Sequence, residues 1–221
     1  MTTRTHGIFK SQAPSLISTL TASLVGFILA LSLSGCAETK PKFNAMDVTG
    51  AEWGKGFQLP DLNGKPVTAK DFPGKVTLVF FGFMYCPDAC PTHLTKMQAV
   101  REQLGKEGDR LQLVFITLDP ERDTPEKLKQ YLESFDKTIV GLRAGLEETQ
   151  AVTKDFRVFY KKVNTKDSAK DPMAYTIDHT TFTYAFDGKG TLRLVIPHDL
   201  AVEKIASDLR NLLNRSPKAL V

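Results

Sequence analysis

The chain has 221 residues, enough for one domain with a proper core, and carries 29 basic against 25 acidic residues. Its formal charge of +4 falls to +2 for residues 36–221, because Arg4 and Lys10 lie in the N-terminal leader. So balanced a charge excludes the strongly basic footprint of a nucleic-acid binder. No internal repeat or low-complexity tract is present, and Lys161, Lys162, Lys166 and Lys170, interleaved with Asp167 and Asp171, read as a solvated loop.

Residues 1–35 read as a lipoprotein signal peptide. Arg4 and Lys10 precede an uncharged stretch, Ser11–Ala37, with its apolar heart at Leu16–Leu33. That length also suits a membrane-spanning helix, so an uncleaved anchor with an incidental cysteine is the alternative. The end of the run favours cleavage: Leu33-Ser34-Gly35-Cys36 resembles a bacterial lipobox, with small residues before a cysteine that is lipidated. Either way the rest of the chain lies outside the cytoplasm. The reading is a membrane-anchored lipoprotein of the bacterial cell envelope, facing the periplasm. Ala37, rather than Asp, permits outer-membrane sorting.

Residues 36–55, polar and small with Pro41, Gly50 and Gly54, read as a flexible tether. About twenty residues extend to at most roughly 70 Å, or on the order of 25 Å as a coil. The folded domain is expected over 56–214, with a short tail at 215–221. Asp61-Leu62-Asn63-Gly64 is a hairpin signal between Phe57–Pro60 and Lys65–Thr68. Val76–Phe83, apolar, β-branched and aromatic, predicts a buried central strand that runs into Cys86-Pro87-Asp88-Ala89-Cys90-Pro91. Thr92–Leu104 has helical spacing and ends at Gly105 and Gly108; Leu111–Leu118 is another strand. Thr124 reads as a helix N-cap with Pro125 at N1, and Leu128, Tyr131, Leu132 and Phe135 as that helix's buried face. A short strand at Ile139–Leu142, a helix at Glu147–Asp155 and a possible extra strand within Phe156–Val163 follow. Asp167–His179 reads as an inserted loop. Thr181–Phe186 and Leu192–Ile196 flank a second hairpin turn at Asp187-Gly188-Lys189-Gly190, and Ala201–Leu213 is an amphipathic closing helix. This is an α/β pattern, and a strand-to-helix thiol pair after a leading hairpin makes it thioredoxin-like: a mixed central sheet flanked by helices.

Cysteines four apart on a helix share a face. Alternatively Pro91 takes N1, which makes Cys90 the N-cap and leaves Cys86 on the preceding loop. Both arrangements put two sulfurs near a helix N-terminus, where partial positive charge favours thiolate. Two thiolates select Cu(I) or Zn over hard cations. A plain disulfide staple is the bland alternative; its ring of about five residues is worth roughly 2 kcal/mol, against about 4.7 for a hundred-residue loop. Among the histidines, His93 shares a face with both cysteines if the helix is continuous, and Pro91 argues against that continuity. His198, between Pro197 and Asp199, reads as a surface or capping residue. His179 precedes a core strand, in the loop that passes beside the thiol pair in thioredoxin-like domains. Thioredoxins place a proline there, and this chain has none between Met173 and Pro197.

Phe80–Pro91, then Thr117-Leu118-Asp119-Pro120-Glu121-Arg122-Asp123-Thr124-Pro125, then Asp178-His179-Thr180 resemble the Sco/SenC family over about Phe57–Leu213. The resemblance implies a thioredoxin-like copper chaperone that helps build the binuclear copper centre of cytochrome c oxidase. It implies copper, Cu(I) or Cu(II), held by Cys86, Cys90 and His179, and no ligand role for His93. Asp178 is a candidate to orient His179. Implied partners are the copper-binding subunit of the oxidase, other periplasmic copper chaperones and thiol reductants. Two departures stand out: many members keep an uncleaved membrane helix where this chain has Cys36, and Tyr184-Ala185-Phe186 is less aliphatic than usual. Two rival readings remain, a thiol–disulfide reductase acting through Cys86 and Cys90 on a partner's copper-binding cysteines, and a lipid-anchored interaction domain with an inert disulfide. Mass spectrometry of the membrane-extracted protein is expected to show a chain that begins at a lipidated Cys36; an intact Met1, or a soluble chain cut elsewhere, excludes lipidation.

Overall fold

The run Val76–Gly82 has no polar residue except Thr77, and the run Leu111–Thr117 has only Gln112 and Thr117. Every residue of both is buried, so both alternating sets of side chains face protein. Such strands sit at the centre of a sheet covered on both faces. A computed structural model describes residues 42–216 and shows that arrangement. The leader, Cys36 and residues 217–221 lie outside the described residues.

In chain order the strands are Met46–Asp47 (β1), Gln58–Pro60 (β2), Pro66–Thr68 (β3), Val76–Gly82 (β4), Leu111–Thr117 (β5), Val140–Leu142 (β6), Tyr160–Asn164 (β7), Tyr175–His179 (β8), Thr183–Phe186 (β9) and Leu192–Ile196 (β10). The helices are Ala89–Leu104 (α1), Pro125–Glu133 (α2), Leu146–Asp155 (α3) and Val202–Arg215 (α4). The main sheet runs β1-β10-β9-β4-β5-β6. β4, β5 and β6 are parallel, joined by helical crossovers; β9, β10 and β1 add antiparallel strands on the other side of β4. This is the thioredoxin-like mixed sheet expected from the sequence. α1 and α4 pack together, and α4 buries Ile205, Ala206, Leu209, Leu212 and Leu213 along one stripe.

Local signals act as expected at several places. Gly64, at φ +84°, closes the β2–β3 hairpin, and a bridge from Asp61 to Leu142 lays that hairpin against the edge strand β6. Thr124 caps α2 by accepting from the Lys127 amide at 3.4 Å, with Pro125 at N1. α3 ends at Phe156, and Arg157 takes the left-handed conformation that turns the chain out of the helix.

Four features differ from the sequence reading. Residues 42–55 are packed, not free tether. β1 pairs with β10, Ala45 is buried, the Arg157 guanidinium lies 4.8 Å over the Trp53 ring, and the Gly54 amide donates to the Asp155 carbonyl. Asp208 is the cause: its buried carboxylate accepts from the Asn44 amide at 3.0 Å, the Ala45 amide at 2.8 Å and Asn44 Nδ2 at 2.9 Å. At the other end, Arg215 and Ser216 belong to the fold rather than to a tail, since Ser216 Oγ accepts from the Gly188 amide. α1 is continuous from Ala89, so Pro91 sits in the first turn, where an amide is not needed, and interrupts nothing. Finally, the second half of Asp167–His179 is β8, paired antiparallel with β7 in a two-stranded sheet separate from the main one. Tyr175 and Ile177 face inward and Asp178 outward, an alternation that marks a strand.

Asp208→Ala would leave the two strap amides without their charged acceptor. It is expected to lower the unfolding free energy by about 3 kcal/mol, as for hydrogen bonds to a buried charge. Urea denaturation measures this, and limited proteolysis should show new cleavage within residues 42–55; an unchanged midpoint and cleavage pattern would mean the strap is not held by Asp208.

Candidate metal centre

β4 delivers the chain to a tight turn in which the Cys86 amide donates to the Phe83 carbonyl at 3.3 Å. α1 then begins with Asp88 as N-cap, but the Asp88 side chain caps no backbone amide and instead accepts from Thr92 Oγ1 at 3.1 Å. The Cys86 sulfur takes over: it accepts the Cys90 amide at 3.4 Å. The first turn of the helix is thus satisfied by a soft atom in the position where an oxygen usually caps.

Cys90 is fully buried and Cys86 half-buried, and both are free thiols. Gly82 makes the buried position possible. A Cβ on Gly82 would stand 2.8 Å from Cys90 Sγ and 3.0 Å from the Phe115 ring. The third group comes from the end of β8. His179 Nε2 lies 3.7 Å from Cys90 Sγ, and Nδ1 lies 2.9 Å from the Thr180 carbonyl oxygen, which can only accept. The neutral ring therefore keeps its proton on Nδ1 and turns the Nε2 lone pair toward the sulfurs. Phe80 and Phe83 meet the imidazole edge-on, at centroid distances of 6.2 and 5.8 Å. One ligand atom from each of Cys86, Cys90 and His179 lies within 4.8 Å of the others. Beside them opens a cleft of about 280 Å³ lined by Cys86, Pro87, Asp178 and His179.

The two sulfurs are electrostatically unequal. The hydrogen bond from the Cys90 thiol holds Cys86 well below the usual thiol range; burial opposes this, and the amides of Asp88 and Cys90 add to it. Cys90 is pushed up, first by that same hydrogen bond, then by burial and by the charge on Cys86. One thiolate with a buried thiol behind it, facing an imidazole nitrogen, is a donor set for a soft or borderline metal, with no carboxylate to favour a hard one.

The other candidates are placed elsewhere. His93 does lie on the same continuous helix as Cys90, but it points into the core. Its ring stacks on Phe80 at 3.8 Å and 11°, and Nε2 lies 3.4 Å from Thr183 Oγ1. Burial pushes it down to about 3, so it stays neutral. His198 is half-buried, 6.2 Å from the His93 ring, and its carbonyl accepts from Lys96. The Asp178 side chain is exposed, and the Thr180 carbonyl, not Asp178, holds His179 Nδ1.

The sequence reading gave no site role to the turn after β5, apart from its helix cap. Asp123, fully buried, accepts from the Met84 amide at 3.2 Å and from Thr117 Oγ1 at 2.6 Å, and so braces the turn that carries Cys86. The signal was present in Asp119-Pro120-Glu121-Arg122-Asp123, where acids cluster directly after a core strand. Arg143 fixes this turn from outside by donating to the carbonyls of Asp123 and Pro120.

A family model described as SCO1/SenC matches residues 46–214. The SCO2-like protein of Rickettsia felis is 42% identical over 137 residues, which are 62% of this chain and 65% of that protein, just under two thirds of its length. The structure of Bradyrhizobium japonicum ScoI with copper bound is 43% identical, with a TM-score of 0.61, and the match covers 71% of this chain and 97% of that one. A SCO1/SenC family lipoprotein from Bacillus anthracis is 25% identical, with a TM-score of 0.59 over 73% of this chain and 96% of its own.

Burial raises Asp123 to about 6; the Thr117 hydroxyl and the Met84 amide oppose the rise, Asp119 adds to it, and Arg122 opposes it. The folded protein therefore takes up this proton at higher pH than the unfolded chain does, near 3.8. The cost of burying the carboxylate is present above about pH 6 and is relieved as pH falls. From about pH 7.5 to about pH 4.5, the stability of the native protein relative to Asp123→Asn should rise by about 2 kcal/mol. Urea denaturation of both proteins across that range tests this; parallel curves would mean that Asp123 titrates normally.

Proposed function

The chain belongs to the SCO1/SenC family, and from that premise we propose that it is a copper-binding metallochaperone for cytochrome c oxidase assembly, with Cys86, Cys90 and His179 as ligands. The observation that carries this is the convergence of two sulfurs and one imidazole nitrogen within 4.8 Å. The copper-bound Bradyrhizobium relative, similar over nearly its whole length, supports the choice of metal. Copper here is cargo. Cys86 and Cys90 would hold Cu(I) as thiolates, Cys90 releasing its proton to solvent, and His179 Nε2 would add the donor that lets the site accept Cu(II) as well. Cys86 is half-exposed while Cys90 is buried, so ligand exchange with a partner's thiolate begins at Cys86. The recipient is the copper-binding subunit of the oxidase, with other periplasmic copper chaperones as donors. The lipobox-like Leu33–Cys36 and the family lipoprotein from Bacillus anthracis support a periplasm-facing lipoprotein anchored through Cys36.

The inequality of the thiols favours a second activity at the same site. The Cys86 thiolate attacks one sulfur of a partner's disulfide and releases the other as a thiolate. Cys90, losing its proton, then attacks the Cys86 sulfur, frees the partner's second thiolate and leaves a Cys86–Cys90 disulfide. Two electrons pass to the partner, and an external thiol reductant restores the pair.

Absorption titrations separate the roles. His179→Ala should abolish the Cu(II)–thiolate band, keep two-thiolate Cu(I) binding and keep thiol exchange. His93→Phe, which preserves a ring against Phe80, should retain the band. Oxidation to the disulfide should remove tight copper binding, and reduction should restore it. Equal affinity before and after reduction would exclude the sulfurs as ligands, and loss of the band in His93→Phe with retention in His179→Ala would exclude the cross-chain site.

A further inference from the structure

Arg122 stands on the turn between β5 and α2, and its side chain is only 8% exposed. Nε donates to Asp119 Oδ2 at 2.5 Å. Nη1 donates to the carbonyls of Met173 at 3.0 Å and Tyr175 at 2.7 Å. The guanidinium carbon lies 3.6 Å over the Tyr175 ring and 4.8 Å over that of Tyr85, while Nη2 has no acceptor. Tyr175 Oη closes the cycle by donating to Asp119 Oδ1 at 2.6 Å.

Tyr175 is the first residue of β8 and His179 the last. β8 is hydrogen-bonded as a strand to β7 alone, and that pair shares no ladder with the main sheet. A two-stranded ribbon is marginal by itself and needs packing to hold it. Tyr175 and Ile177 supply buried anchors, and Arg122 fixes the backbone at the end opposite the imidazole. Four residue steps of strand, about 13 Å, separate the clamp from the ligand.

We propose that Arg122 is a positioning residue for His179: with Asp119 it clamps the start of β8 and sets where the imidazole stands against the two sulfurs. The inference rests on the metal-site reading above, but the clamp acts on backbone and is measurable without metal. Its chemistry is particular to arginine. One planar fork serves a carboxylate and two carbonyls while its face lies on a ring, and an ammonium cannot do all of this at once.

The test is Arg122→Lys in the full-length reduced protein. In the metal-free state, amide hydrogen exchange along β8 should quicken about tenfold, with β4 and β5 unchanged. On loading, the Cu(II)–thiolate band should shift and Cu(II) affinity should fall about tenfold, as for a lost partner behind a metal ligand, with Cu(I) affinity held within about twofold. Tyr175→Phe, which removes the hydroxyl's bond to Asp119 and its longer contact with Glu121 at 3.4 Å but keeps the ring under Arg122, should move the same readouts in the same direction by less. Unchanged β8 exchange and an unshifted band in Arg122→Lys would overturn the proposal. So would faster exchange spread through β4 and β5, which would assign Arg122 to the fold as a whole. If the native protein bound no copper, the functional reading would fall, and β8 exchange alone would still decide for or against the clamp.

Discussion

The Cys90 amide donates to the Cys86 sulfur, and much else follows from that bond. It ties the candidate metal centre to the start of a helix, so the position of Cys86 against Cys90 is set by the backbone. Their inequality comes first from the hydrogen bond between the two sulfur groups and from the deeper burial of Cys90, and the amide adds to it. Cys86 lies on the turn before the helix, facing the cleft. Cys90 lies one turn on, pressed into the space that Gly82 leaves open beside Phe115. A helix terminus favours negative charge, and here that charge is concentrated on the sulfur nearer solvent.

The imidazole belongs to a different structural unit. It arrives on β8, which is outside the main sheet, and its Nδ1 faces its neighbour's carbonyl rather than a carboxylate. The turn after β5 touches both units, through Asp123 to the Met84 amide and through Arg122 to the start of β8. Sulfurs and nitrogen are thus held by separate arms of one brace. The sulfurs are braced through the turn before α1 and the imidazole through the start of its own strand.

Most of the architecture was legible because it rests on patterns written in contiguous residues. The runs at Val76 and Leu111 announced buried strands, Thr124-Pro125 announced a helix start, and Asn63-Gly64 and Asp187–Gly190 announced turns. That the thiol pair and His179 stand together is legible through motif order. What escaped depends on partners far along the chain. The segment 42–55 looked like a linker because its composition is polar, and its docking depends on Asp208, more than 150 residues later. Pro91 was read as a barrier although the first helical turn tolerates it, so His93 was set aside for the wrong reason; Phe80 and Thr183 are what hold it in the core. β8 reads as a loop in sequence because its alternation spans only five residues beside a polar stretch. The Asp119–Asp123 network uses charges that sequence reading assigns to surfaces, and their burial is visible only in three dimensions.

The docking of β1 against β10 changes what a lipid on Cys36 would do. Once residues 42–55 are part of the body, only residues 37–41 remain between Cys36 and the folded domain. Five residues at full stretch cover about 18 Å, where the twenty-residue tether read from sequence would cover about 70 Å. A long leash lets a domain wander until it meets a recipient, whereas a short one keeps it near the bilayer and restricts the directions its cleft can face. Delivery would then depend on matched height: the recipient must carry its acceptor site within a thin layer above the same membrane, and lengthening the leash would trade that alignment for reach.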